Sequence, residues 1–161
     1  MSRVKVTANN HCHKPIKGGE PVEALISIAA AGKLNEHLSM GGDINVSAEA
    51  GITALHALAR KGSGSKTDRA AFSALMSSGI DVHAVNDRNE TALFRAVLTD
   101  TRWMIEPLLD AGARIDVVNK KGVSLQDIAR KNSEEVWSLV LQKTLNNATP
   151  AAQFRRPSPR L

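Results

Sequence analysis

The sequence predicts an all-α fold, a stack of about four helix–turn–helix layers. Three observations predict it. A hydroxyl residue opening a short apolar helix recurs at Thr53, Thr91 and Ser124, spaced 38 and then 33 residues apart. Each copy is followed by a second amphipathic stretch. Glycine closes the first three second stretches, at Gly41, Gly79 and Gly112, where a left-handed residue ends a helix at least cost. Such a layer cannot bury its apolar face alone, so neighbouring copies must stack to make a core.

The layers are taken in chain order. In 20–45, Ala24 to Gly32 reads as a first helix and Leu34 to Met40 as a shortened second one, closed by Gly41-Gly42-Asp43-Ile44-Asn45. In 46–83, Gly51-Ile52-Thr53-Ala54-Leu55-His56-Ala57-Leu58-Ala59 leads into the first helix. Thr53 is placed to accept an early backbone N–H, and Leu55, Leu58 and Ala59 share one face. Gly62 follows as a helix terminator, and residues 62–66 form a Gly/Ser insertion that composition reads as a flexible loop, tolerated or partner-contacting. The second helix holds Ala70 to Met76, and Gly79 to His83 turns back.

In 84–116, Asn89 to Val97 repeats the first helix, with Asn89 in the left-handed position usual for glycine. Trp103 to Leu109 is the second helix, and Pro107 within it predicts a kink or a late start. In 117–143, Gly122 to Ala129 is the last first helix and Val136 to Leu141 the last second one. Residues 1–19 and 144–161 read as a poorly ordered basic segment and a disordered, proline-containing basic tail.

Gly51-x-Thr53-x-Leu55-His56-x-x-Ala59, and Thr91-Ala92-Leu93 with Leu108-Leu109-x-Ala111-Gly112-Ala113, resemble the ankyrin repeat family over about residues 20–143. The family's proline is here Ala54, Ala92 and Leu125, and its histidine survives only as His56, with Phe94 and Asp127 elsewhere. Abundant Ala and short loops resemble small free-standing bacterial or phage ankyrin proteins. The resemblance implies that His56 ties its turn through Thr53 and backbone. It also implies a concave groove made by the hairpin tips and the exposed ends of the first helices. By position that groove takes Glu49, Ile52, Arg60 and Lys61 from one layer. It takes Asp87, Arg88, Glu90 and Leu98 from the next, and Lys120, Lys121 and Val123 from the last.

Composition narrows the functions. The chain has 161 residues, 42% hydrophobic and 23% charged, enough for one self-sufficient core. Only five residues are aromatic, Phe72, Phe94, Trp103, Trp137 and Phe154, so the core is expected in thin layers of small side chains. The single Cys12 excludes an intrachain disulfide and any zinc site needing two cysteines. His11-Cys12-His13 on an unstructured end is a poor metal site. No phosphate loop, zinc-protease motif or nucleophile elbow is present, so no catalytic or cofactor-binding residues are expected.

The net charge of +5 invites a nucleic-acid reading, but its distribution argues against one. Residues 1–19 carry four basic residues and no acid, and 144–161 three and no acid, whereas 20–143 hold 14 Lys/Arg against all 16 Asp/Glu. No apolar run is long enough to span a membrane and no signal-peptide core follows Met1, so a cytoplasmic location is expected, with leaderless export the other route. The sequence therefore reads as a non-catalytic module that binds another protein, as adaptor, inhibitor or immunity-type protein. The competing readings are a substrate-docking part of an effector enzyme system and nucleic-acid contact through the basic ends.

Overall fold

The computed structural model describes residues 21–61 and 63–148. Its helices are α1 (Pro21–Ala30), α2 (Leu34–Ser39), α3 (Ala54–Lys61), α4 (Lys66–Ser77), α5 (Ala92–Leu98), α6 (Arg102–Asp110), α7 (Leu125–Asn132) and α8 (Glu134–Ala148). The chain is mostly helical, and the described strands are the two-residue β1 (Ser47–Ala48) and β2 (Ile52–Thr53). First helices α1, α3, α5 and α7 lie side by side in that order, and α6 and α8 pack behind α5 and α7. The core is a run of small and medium aliphatics from Val22 to Val140, with Phe94 the largest fully buried side chain.

Three tips share one geometry. Ser47 pairs with Thr53, Val85 with Thr91, and Val118 with Ser124, each antiparallel. The turning residues Gly51, Asn89 and Gly122 all have positive φ, of 69°, 59° and 77°, so asparagine does occupy the glycine position of the middle tip. In the last two tips an asparagine braces the turn. Asn86 Oδ1 accepts the N–H groups of Arg88 (2.9 Å) and Glu90 (3.1 Å), and Asn119 Oδ1 those of Lys121 and Val123 (both 3.0 Å). The first tip has Ala48 at that place, and a 3-10 turn over Glu49–Gly51 with Ala50 at φ 60° replaces the brace. Successive tips are bonded: the Asp87 amide donates to the Ala50 carbonyl and the Lys120 amide to the Arg88 carbonyl, both at 2.9 Å.

The expected caps form on α5 and α7, where Thr91 and Ser124 accept the amides of Phe94 (3.2 Å) and Asp127 (3.0 Å). Thr53 instead turns its hydroxyl to His56. Neighbouring first helices also satisfy each other's last carbonyls. Thr99 and Thr101 hydroxyls both donate to the Ala59 carbonyl (2.9 Å), and Asn132 Nδ2 donates to the Val97 carbonyl (2.6 Å).

Three further expectations need correction. Helix α6 begins at Arg102 and runs through Pro107 to Asp110, so Pro107 does not delay its start. Its missing N–H leaves only the Trp103 carbonyl without an i+4 donor. Helix α8 continues past position 143 to Ala148, because nothing before that point stops a helix; the rest of the expected tail, the 1–19 segment, His11-Cys12-His13 and Gly62 lie outside the described residues. The described part of the insertion is anchored rather than loose. Ser65 caps α4 in a reciprocal box with Asp68, Ser63 also bonds Asp68, and these hydroxyls hold the Asp68 carboxyl below its usual pKa. Arg69 Nε reaches the Gly64 carbonyl (3.0 Å), and its guanidinium lies 5.5 Å from the Trp103 ring centre. A Cβ on Gly64 would sit 2.8 Å from that indole. Helix α4 packs mainly along α1 and only lightly on its sequence neighbour α3. The six-residue α2 packs only lightly on α1.

Candidate functional site

The tips and first helices enclose two depressions that share Arg88. The first lies over α1 and α3 and is bordered by Glu23, Glu49, Ile52, Ala57, Arg60, Arg88 and Arg95. The second, about 530 Å³, lies over α5 and α7 and is bordered by Arg88, Glu90, Leu98, Lys120, Lys121, Val123, Asp127, Ile128 and Lys131. Nine of the residues expected in the groove by position therefore border one of the two: Glu49, Ile52, Arg60, Arg88, Glu90, Leu98, Lys120, Lys121 and Val123. Two do not. Lys61 reaches across to Glu23 on α1 (2.8 Å), and Asp87 is exposed beside the tip with its amide committed to Ala50.

Glu90 borders the second depression, yet its carboxylate is not on offer. The residue is 4% exposed, and Oε2 accepts from Asn86 Nδ2 (3.2 Å) and Arg95 Nη1 (3.3 Å). A charge in that position is buried because Arg95, five residues on, is drawn over it from α5, a pairing that spacing along the tip does not reveal. Arg95 itself is largely buried, and its Nε has no hydrogen-bond partner among the described residues.

His56 forms the rigid link beneath the first depression. The Thr53 amide (3.3 Å) and hydroxyl (2.8 Å) both address Nδ1, and Nε2 lies 2.9 Å from the Glu90 carbonyl. An amide only donates and a carbonyl only accepts, so the neutral ring carries its proton on Nε2. Burial pushes the His56 pKa below its usual value, and the Arg95 charge adds to this against the bond to Glu90. The Glu90 carbonyl also accepts the Asn86 amide, so His56 ties α3 to the next tip. This is the structural role expected of it.

Sequence reasoning missed Glu23, Ala57, Arg95, Asp127 and Ile128 as border residues. The Asn-x-x-x brace of the last two tips was the readable signal for rigidity around the groove. Among the described residues no helix is long and apolar enough to cross a membrane. No protein-family model matches the chain, and no curated protein matches it.

Proposed function

We propose that this chain is an ankyrin-type repeat solenoid that binds another protein through the groove formed by its tips and first helices. It acts as a non-catalytic adaptor or stoichiometric inhibitor. The observation that carries the reading is the pair of depressions joined through Arg88, assembled from equivalent positions of three successive layers. Tip-to-tip hydrogen bonds, Asn86, Asn119 and His56 hold these positions before any partner arrives, so little entropy is lost on binding. Leu98, 44% exposed, and Val123, 36% exposed, offer apolar contact inside a charged rim, the arrangement of an interface centre.

Recovery of bound proteins from the native cell, quantified by mass spectrometry, tests this with the wild type and with Leu98→Ser/Val123→Ser. A specific partner held by the wild type should be lost at least about tenfold by the variant, with circular dichroism and melting unchanged. Equal recovery by both chains would remove the groove as the binding surface.

A further inference from the structure

The groove is electrostatically one-sided in a way the whole layered body is not. Of its border cations, Arg60, Arg88, Lys120, Lys121 and Lys131 make no ion pair among the described residues. Two of its four carboxylates are paired with cations, Glu23 with Lys61 and Glu90 with Arg95, whereas Asp127 accepts the Ser124 hydroxyl (2.6 Å) and keeps its charge. Glu49 likewise makes no ion pair among the described residues. The rest of 20–143 holds eight cations against twelve carboxylates. Arg102, Arg114 and Lys143 are there in ion pairs, Arg69 and Arg130 lie over the rings of Trp103 and Trp137 and keep their charge, and Lys33 and Lys66 make no ion pair among the described residues. Residues 20–143 carry more acid than base overall, so uncompensated positive charge is concentrated at the groove against the trend of the body.

We infer that the groove's partner is an acidic protein segment carrying aliphatic side chains. This rests on the groove reading above and specifies its ligand. Four of these unpaired cations, Arg88, Lys120, Lys121 and Lys131, border the same depression as Leu98, Val123 and Ile128 and complement carboxylates flanking an apolar anchor. The cations fix register and speed encounter, and the apolar floor supplies the contact that a nucleic-acid backbone has no group to fill.

The test uses the full chain and four dye-labelled probes, read by fluorescence anisotropy. They are a short glutamate/leucine peptide, its lysine/leucine counterpart, its glutamate/serine counterpart, and a short single-stranded oligonucleotide. The glutamate/leucine peptide should bind, and the other three should bind at least about tenfold more weakly. Arg88→Glu/Lys120→Glu/Lys121→Glu should weaken it about tenfold or more, while Lys33→Glu/Lys66→Glu changes it less than about twofold.

A lysine/leucine peptide that binds as well, and is lost in Leu98→Ser/Val123→Ser, would leave the groove standing and overturn the acidic ligand. Tighter binding of the oligonucleotide would overturn it in favour of phosphate recognition. Equal losses from both charge variants would show non-directional attraction and overturn it too, as would no binding of the glutamate/leucine peptide at millimolar concentration. The groove reading itself falls only if the native partner ignores the Leu98/Val123 variant.

Discussion

Leu93→Ala is expected to lower the unfolding free energy by about 2–5 kcal/mol. Leu93 is fully buried on α5, the helix that packs against α3, α6 and α7. Removing its side chain takes apolar contact from the middle of the stack and leaves a void that the neighbouring layers cannot both close. The loss should also be felt beyond one layer, because adjacent layers stabilise each other through their interfaces. Urea unfolding measures it directly. A midpoint indistinguishable from wild type would place Leu93 outside the core and undo the register of that layer.

A second large effect is expected at His56. His56→Ala strips the partner from the Thr53 amide and hydroxyl and one donor from the Glu90 carbonyl, all in a buried setting. Unsatisfied buried groups of this kind cost about 1–3 kcal/mol each, so a loss of about 2–4 kcal/mol is expected. The wild type should also lose stability on acidification. The folded imidazole has its pKa lowered from 6.5, so below that value the unfolded chain binds the proton that the folded chain refuses. The contribution is whole above pH 6.5 and declines as pH falls through 6.5 toward the folded value. Unfolding free energies measured from neutral to mildly acidic pH should therefore fall in the wild type and show a shallower slope in His56→Ala. A steeper slope in the variant would contradict the neutral, buried ring.

The difference between these two sites also shows what could be read from residues alone. Thr91, Ser124 and Asn89 state their backbone jobs locally, because capping and left-handed turns depend on a residue and its near neighbours. The helices are legible in the same way, from the spacing of their apolar residues. Glu90 is not legible in this way. An acid beside a turn is normally solvated, and only the arrival of Arg95 and Asn86 from either side makes it a buried, neutralised group. The anchored insertion fails for the same reason. Gly, Ser and Lys read as flexible until Trp103, from the following layer, closes over Gly64.

At the groove, Ile52, Leu98, Val123 and Lys120 could be placed by position within the repeat. Arg95, Asp127 and Ile128 could not, because they enter from the helix walls rather than from the tips.

The most direct measurement of the central claim is a methyl-resolved NMR titration of the full chain with the glutamate/leucine peptide. The account predicts shifts concentrated on the methyl groups of Ile52, Leu98, Val123 and Ile128, which border the two depressions. It predicts none beyond noise at Leu141, which is exposed on α8 away from both. Shifts centred on α8, with the groove methyls unmoved, would contradict it.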